Sequence, residues 1–367
     1  MNNLNCIMYC RKPITFSHSN FFITDKIIDD STFINQKQTK KVNQYALVKK
    51  IGSGSFSKVF MAVDTNTKIT YAAKVIKINS RSEGSFVLER EIKNMKSLKS
   101  PQIIELSEVL YSKRSETAFL ILEWANCGSL QKCIDKNIKL SEKVIAGILK
   151  QIIIGTKYLH SQGIVHHDIK PANILLFQNG AKLADFGIGH SFQSTDNVIG
   201  TPAFQAPEVF GYHEDFMNPN NNLNNSNLVN NYDSLPAEED VWSLGVTLFY
   251  TVFGYLPYVG DNIYEIVRLI HQTKLEIPKT ASEELEDVLR RMLEVDPNKR
   301  ITMDELLVHP FFVHAPNQFV VPIEPKFASA SIPEDNSIVK IQAERCEDNY
   351  KFGPAKRSLS WPGVLCC

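Results

Sequence analysis

The sequence predicts an α+β protein in which a small β-sheet carrying one helix precedes a larger helical region. Two observations indicate this order. Aliphatic and β-branched runs separated by turn signals fill residues 45–124, whereas helical periodicity dominates from about residue 129 to residue 313. Of the 367 residues, 43% are hydrophobic and 22% are charged, which is ordinary for a folded protein.

Five segments are expected to form the strands of a small sheet. Tyr45–Lys50 and Lys58–Val63 flank a turn rich in glycine and serine, so the second strand is predicted to return beside the first. The other three segments are rich in β-branched and aliphatic residues, and they are Thr70–Ile78, Ile103–Tyr111 and Thr117–Trp124. Phe86–Leu98 has helical spacing and supplies the helix of this region.

The second region is predicted to consist mainly of helices. In Ser141–His160, isoleucine and leucine recur at helical spacing from Ile145 to Ile153, which indicates one buried face. Val241–Phe253 is almost entirely apolar and is expected to be buried on all sides. Three more amphipathic helices are predicted at Ile263–His271, Ser282–Leu293 and Met303–His309.

Three segments depart from these patterns. Residues 1–44 are polar and irregular and are expected to be a flexible extension. Asn218–Asn231 holds nine asparagines in fourteen residues, which predicts a disordered surface insertion at 214–235. An inert expansion is favoured there over a substrate-docking role. Residues 314–367 are expected to be a largely disordered tail, in which Ile338–Arg345 could form a short helix without the basic face of a calmodulin target.

Charge and cysteine content exclude several classes of function. Forty basic and forty acidic residues cancel, so no global field would attract nucleic acid or an anionic membrane. No apolar run reaches the ~18 residues of a membrane-spanning helix, and the N-terminus has no secretory signal pattern. The seven cysteines match no zinc-site spacing, which favours free thiols in the cytoplasm or nucleus. Cys366-Cys367 resembles the lipidated end of some small GTPases, although two free cysteines are the favoured interpretation.

A glycine-containing turn and a strand lysine are candidate phosphate-binding groups. Gly52 and Gly54 allow backbone N–H groups to approach an anion, but such a hairpin is weak evidence by itself. Because a strand follows the turn where a dinucleotide-binding fold needs a helix, that fold is not favoured. Lys74 lies on the third predicted strand, and Glu91 on the predicted helix could pair with it.

The segment from residue 166 to residue 187 combines groups suited to phosphoryl transfer. Asp168 could accept a hydroxyl proton, and Lys170 could neutralise a migrating phosphoryl group. Asn173 and Asp185 offer the hard oxygen ligands that suit Mg²⁺. The spacing from Asp168 to Asp185, which is followed by Phe186-Gly187, indicates that this combination is not a coincidence.

These motifs, in this order, resemble those of eukaryotic protein kinases from Tyr45 to Phe312. The resemblance implies a two-lobed kinase fold with an antiparallel sheet and one main helix in the smaller lobe. The implied kinase domain spans 45–313, with an N-lobe at 45–125 and a helical C-lobe at 126–313. The implied activity is ATP-dependent phosphorylation of proteins.

The resemblance also implies a role for each motif in binding ATP and Mg²⁺. Asp168 would be the catalytic base, assisted by Lys170, and Asn173 and Asp185 would bind magnesium. Residues implied to contact the phosphates are Ile51, Gly52, Ser53, Gly54, Ser55, Phe56, Ser57, Lys58, Val59 and Lys74, with Glu91 positioning Lys74. Residues implied to surround the adenine are Val59, Ala72, Leu122, Glu123, Ala125 and Leu175.

Other matches concern the protein substrate and the kinase subclass. Thr201, ahead of Ala206-Pro207-Glu208, resembles the loop that holds the substrate, and together with Lys170 it is typical of serine/threonine kinases. Glu208 is implied to pair with Arg300, and Asp240 to tie the catalytic loop to the buried helix. Gly200–Glu208 and Gly245–Leu248 are similar to the calcium/calmodulin-dependent group, and within it to calmodulin-dependent kinase kinases.

Alternatives to an active protein kinase remain at this point. A pseudokinase that binds nucleotide as a scaffold is the main one, although Lys74, Asp168 and Asp185 are all present. Small-molecule kinases of related fold are disfavoured by the peptide-substrate motifs. Serine, alanine and tyrosine stand where arginine-directed kinases carry acidic residues, so strong selection for basic substrates is not expected; the positions are Ser129, Ala172 and Tyr250. No nucleic acid or membrane partner is expected, and the oligomeric state stays open.

Two histidines depart from the kinase pattern. His167 stands where most protein kinases have arginine, and His190 where a second basic residue often lies. In the family that pair binds a phosphate on the activation loop, and a histidine with a pKa near ~6.5 would be a poorer phosphate partner at pH 7. We therefore expect activity without phosphorylation of the candidate sites Ser191, Ser194 and Thr195. The alternative is that both histidines are simply exposed loop residues.

Overall fold

The computed structural model confirms the two-lobed α+β architecture. It describes residues 39–54, 57–78, 84–178, 180–185, 202–210, 237–316, 319, 321 and 338–345. The strands are β1 (Thr39–Val42), β2 (Tyr45–Ser53), β3 (Ser57–Asp64), β4 (Thr70–Lys77), β5 (Leu106–Ser112), β6 (Thr117–Glu123), β7 (Gly128–Ser129), β8 (Ile174–Phe177), β9 (Gly180–Leu183), β10 (Ile338–Ile341) and β11 (Glu344–Arg345). The α-helices are α1 (Gly84–Ser97), α2 (Leu130–Asp135), α3 (Glu142–Ser161), α4 (Glu238–Phe253), α5 (Ile263–Gln272), α6 (Glu283–Met292), α7 (Met303–Val308) and α8 (Pro310–Val313).

The N-lobe is built on one sheet with the order β10-β1-β2-β3-β4-β6-β5-β11. Every neighbouring pair is antiparallel except β1 and β10, which run parallel. Leu88, Ile92 and Met95 of α1 are buried in the same apolar cluster as Ile76 and Val109 of the sheet. Because successive strand residues face opposite sides, the other face of the sheet has an apolar cluster of its own.

Two long helices form the centre of the C-lobe. The predicted stripe of α3 is buried from Ile145 to Ile153, and Ser141 caps the helix by accepting a hydrogen bond from the Val144 N–H at 3.4 Å. Helix α4 is buried from Glu239 to Phe249, as its apolar sequence predicts. Gly245 allows α6 to approach closely, because a Cβ atom there would lie 2.9 Å from the Met292 Cβ.

The structure corrects one predicted helix and adds a strand to the sheet from a stretch expected to be flexible. A helix at Ile338–Arg345 is wrong, because the segment forms β10 and β11 along two sheet edges. Edge strands supply unpaired backbone groups that can override a short, weakly periodic pattern. Strand β1 adds Thr39–Val42 to the sheet from within the stretch expected to be flexible. The asparagine-rich insertion and Cys366-Cys367 lie outside the described residues. Among the described helices, none combines the length and apolar character needed to cross a membrane.

Candidate active site

The loop between α3 and β8 is held by one buried carboxylate. Asp240 of α4 accepts hydrogen bonds from the backbone N–H groups of His166, at 2.9 Å, and His167, at 3.0 Å. The His160 ring nitrogen lies 2.8 Å from the same side chain. Burial acts to raise the pKa of Asp240, but the hydrogen bond from His160 and the nearby histidines outweigh it and hold the pKa below its usual value. Asp240 therefore ties the loop to α4 as a charged acceptor, which is the role that the sequence predicts.

Asp168, Lys170 and Asn173 are brought together within this loop. The Lys170 ammonium lies 2.8 Å from the Asp168 carboxylate. The Asn173 side-chain nitrogen donates to the Asp168 carboxylate at 2.9 Å and to its backbone oxygen at 2.8 Å. Residues 171–173 form a 3-10 turn, which brings the Asn173 side chain within hydrogen-bonding distance of Asp168. Both Asn173 bonds use its nitrogen, so neither of them uses the side-chain oxygen, which is the atom that could bind a cation.

Lys74 and Asp185 meet across the two lobes. The Lys74 ammonium on β4 is 2.5 Å from the Asp185 carboxylate, which follows β9. The Asp185 side chain is half exposed. Desolvation by the surrounding protein acts to raise its pKa, but the Lys74 charge outweighs this and holds the pKa below its usual value. An ionised, accessible carboxylate beside a lysine is an arrangement that can bind a metal–phosphate complex.

Four of the residues predicted to surround the adenine are half-buried apolar side chains on strands of the two lobes; they are Val59, Ala72, Leu122 and Leu175. Val59 is half-buried among half-buried neighbours, whereas Ala72, Leu122 and Leu175 each lie next to a fully buried residue of their own strand. Ala72 is the cross-strand partner of Leu122, so these two side chains share one face of the sheet. Glu123 is the last residue of β6, and Ala125 lies two residues beyond it, in the connection to the C-lobe. Half-buried apolar side chains close to the connection between the lobes suit a flat heteroaromatic ring.

The predicted phosphate turn closes the hairpin of β2 and β3. Gly52 pairs with Val59 and Ser53 with Lys58, and the Gly54 N–H donates to the Ser57 carbonyl at 2.9 Å. A register irregularity between Lys50 and Gly52 places Ile51 at a bulge. Ser55, Phe56 and Thr201 lie outside the described residues, as does the side chain of Glu91, whose backbone belongs to α1.

Comparison with known proteins decides the family. Residues 45–312 match the protein kinase domain family. The chain belongs to the protein kinase family. The serine/threonine-protein kinase STK11 of Gallus gallus is 33% identical over 316 residues, covering 81% of this chain and 67% of that protein. The CBL-interacting serine/threonine-protein kinase 16 of Arabidopsis thaliana is 32% identical over 295 residues, covering 76% of this chain and 58% of that relative.

A third relative, CBL-interacting protein kinase 9 of Oryza sativa subsp. japonica, is 34% identical and covers 75% of this chain and 58% of its own length. Together with the family match, these relatives identify the chain as a eukaryotic serine/threonine protein kinase. The prediction of this class is confirmed. The narrower resemblance to calmodulin-dependent kinase kinases is not tested by these relatives and stays a prediction.

The kinase holds residues 202–210 against α4. The Ser243 hydroxyl donates to the Phe204 carbonyl at 2.8 Å. The guanidinium of Arg300 contacts both carboxylate oxygens of Glu208, at 2.6 and 3.0 Å, and lies over the Trp242 ring. The predicted Glu208–Arg300 pair therefore forms with bidentate geometry in a buried place.

Two side-chain contacts of this kinase were not predicted from the sequence. The His167 ring nitrogen Nδ1 is 3.4 Å from Oε2 of Glu239, the residue before Asp240. The Lys182 ammonium of β9 is 2.6 Å and 2.7 Å from the two carboxylate oxygens of Glu123, at the connection between the lobes. The only sequence signal was the unusual His167, because the partners are distant in the chain.

Proposed function

We propose that this kinase transfers the γ-phosphoryl group of ATP to serine or threonine hydroxyls with Asp168 as the base. The observation that carries the proposal is the Asp168 carboxylate, which Asn173 and Lys170 orient from two sides at 2.9 and 2.8 Å. A carboxylate fixed in this way can accept a proton at one defined point, which general-base catalysis requires.

The proposed step exchanges one phosphorus–oxygen bond for another. The substrate hydroxyl oxygen attacks the γ-phosphorus, and the bond to the β,γ-bridging oxygen breaks to release ADP. The hydroxyl proton moves to the Asp168 carboxylate. Lys170, whose ammonium lies 2.8 Å from that carboxylate, offsets the negative charge around the transferring group. Positioning and electrostatics supply most of the rate, because phosphoryl transfer needs little covalent chemistry from the protein.

The residues present fit a magnesium–nucleotide complex. Asp185 is half exposed with a lowered pKa, and the two hydrogen bonds that Asn173 donates to Asp168 do not use its side-chain oxygen. Mg²⁺ prefers such oxygen ligands together with phosphate oxygens, and when bound it neutralises charge on the β- and γ-phosphates. Lys74 is already beside Asp185, so it would contact the phosphates from the N-lobe. The half-buried residues around Ala72 and Leu175 would enclose the adenine.

The test compares phosphate transfer from labelled ATP·Mg²⁺ to a protein substrate by wild type and by Asp168→Asn. We expect the variant to lose roughly 10²–10⁴-fold in kcat, because it lacks the base. The matched control is Asp304→Asn, the same chemical change at an exposed carboxylate. Nucleotide binding, followed by the thermal shift on adding ATP·Mg²⁺, should persist in both variants.

Two results would contradict the proposal. Undiminished transfer by Asp168→Asn would show that this carboxylate is not the base. Nucleotide binding without transfer by wild type, even after treatment with candidate upstream kinases, would favour the scaffold alternative.

A further inference from the structure

Residues 338–345, here called the tail strand, cross from one edge of the N-lobe sheet to the other. Strand β10 pairs in parallel with β1, and β11 pairs with β5, at opposite ends of the strand order. Only Gln342 and Ala343 separate them. Three residue steps span at most about 11 Å. The sheet is therefore curled until its two edges face each other, and the tail strand occupies the gap.

The Asn43 side chain forms two hydrogen bonds with the backbone of the tail strand. The Asn43 amide donates through Nδ2 to the Ala343 carbonyl at 3.0 Å and accepts from the Ala343 N–H at 3.3 Å. The Asn43 backbone N–H also donates to the Ile341 carbonyl at 3.4 Å. Asn43 has φ of 50°, a left-handed conformation that asparagine tolerates better than most residues. The turn between β1 and β2 is thus shaped to hold an extended peptide.

Two side chains of the tail strand fit specific places. Ala343 is 3% exposed and belongs to the apolar cluster on the face of the sheet away from α1. Arg345 forms an ion pair with Glu108 of β5. The Glu108 carboxylate also accepts a hydrogen bond from the Tyr45 hydroxyl at 2.7 Å, which fixes its position. The gap therefore selects a small residue followed two positions later by a cation.

The cluster that contains Ala343 lies directly behind the nucleotide site. Ala73 and Ile121 belong to it and are cross-strand partners. Their neighbours Ala72, Lys74 and Leu122 face the other side of the same strands, where the nucleotide would bind. Core packing is dense and transmits small displacements, so a loss of packing behind the strands would move the residues in front.

We propose that the gap between β1 and β5 is a peptide-binding groove that this chain fills with its own residues 338–345. The bound tail strand completes the N-lobe and positions the strands that bind ATP. Strand addition of this kind gives affinity through the backbone and specificity through alternate side chains. The surface is an interaction site separate from the catalytic loop, and its cognate ligand is the C-terminal segment of the same chain.

The first test compares a chain that ends at Arg345 with one that ends before Ile338. The longer chain should match the full chain. The shorter one should melt roughly 4 °C lower or more, and its KM for ATP should rise about fivefold, with a smaller change in kcat. A synthetic peptide of residues 338–345 added in trans should raise the melting temperature of the shorter chain. Equal melting temperatures and equal KM values for the two chains would overturn the proposal.

Point variants keep the proposal testable if the shorter chain fails to fold. Ala343→Glu places a charge in the buried position, whereas Gln342→Glu places the same residue at the exposed neighbour. Faster hydrogen exchange in β1 and β5 is expected in the first variant alone. Arg345→Glu should also speed hydrogen exchange in β1 and β5, but less strongly. Adding Glu108→Arg reverses the ion pair and should return the exchange rate toward that of wild type. Identical exchange in the two glutamate variants would overturn the proposal. These measurements need no catalysis, so they are independent of the role given to Asp168.

Discussion

Glu239 places its carboxyl group beside the His167 ring inside the C-lobe. The Nδ1 and Oε2 atoms are 3.4 Å apart, and Glu239 is only 3% exposed. By resemblance, an arginine at position 167 would bind a phosphate on the activation loop. Here a carboxylate on α4 lies beside the imidazole without any modification of the chain. His167 also has φ of 62°, so its backbone is held in a left-handed conformation that needs support from its surroundings.

This contact predicts that activation-loop phosphorylation is not required. We expect the combined variant Ser191→Ala, Ser194→Ala, Thr195→Ala to keep kcat within about twofold of wild type, because the support for His167 comes from α4. His167→Ala should instead lower kcat by roughly tenfold or more, since the loop that carries Asp168 loses this support. Steady-state kinetics on protein purified from a kinase-free host would check both. Loss of activity in the combined Ser191, Ser194 and Thr195 variant, with its fold intact, would contradict the prediction.

The same carboxylate predicts a pH-dependent effect on stability. Burial raises the pKa of Glu239 above its usual value, and the contact with His167 offsets this only in part. A raised pKa in the folded state means that the folded protein binds the proton more tightly. Glu239 therefore contributes its full share of stability below the pKa that it has in the unfolded chain. This contribution is lost as pH rises through the higher pKa that Glu239 has in the folded protein.

Glu239→Gln should therefore be more stable than wild type at pH 7, and the difference should vanish near pH 4. Urea unfolding at the two pH values measures this. The control is Glu265→Gln, which alters a partly exposed carboxylate at the start of α5. A stability difference that is the same at both pH values would show that the charge on Glu239 is not its cause.

The sequence predicts those parts of the site that are set by local spacing. Asp168, Lys170 and Asn173 lie within one loop, so their grouping follows from the chain itself. The longer strands and helices also follow, because periodic burial is a local signal. The partnership of Glu239 with His167, and the position of residues 338–345, depend on which surfaces meet after folding. A short segment with weak periodicity gives no local sign that it will pair with a distant sheet edge.

The Lys182–Glu123 pair predicts a measurable coupling between the lobes. Both side chains are about three-quarters buried, with exposures of 22% and 28%, and the ammonium contacts both carboxylate oxygens. A double-mutant cycle with Lys182→Met and Glu123→Gln should give a coupling energy near ~1 kcal/mol, the upper range for partly exposed pairs. The more exposed Arg268–Glu265 pair, at 3.7 Å, is the control and should give almost none. Equal coupling in the two cycles would mean that Lys182 contributes no more than a surface charge.

The Glu208–Arg300 pair predicts the largest loss of stability. The Arg300 side chain is fully buried, and besides Glu208 its guanidinium donates to the backbone oxygens of Glu238 and Glu294 at 2.9 Å. Arg300→Met leaves the Glu208 carboxylate and these carbonyl groups without their donor. Breaking a buried pair by removing one partner costs roughly 3–5 kcal/mol. The exposed Arg291→Met is the matched control and should cost less than about 1 kcal/mol.

Removing both charges of the Glu208–Arg300 pair separates two causes of the lost stability. One is the unpaired Glu208 carboxylate, and the other is the backbone carbonyl groups left without a donor. The double variant Arg300→Met, Glu208→Gln no longer buries an unpaired carboxylate, so it should recover part of the stability that Arg300→Met loses. It should not recover activity, because Glu208 ties residues 202–210 to α4 through Arg300. Urea unfolding and phosphate transfer measured on the same samples distinguish these effects. If the double variant is as unstable as the single one, the loss comes from the orphaned backbone carbonyls and not from the buried charge.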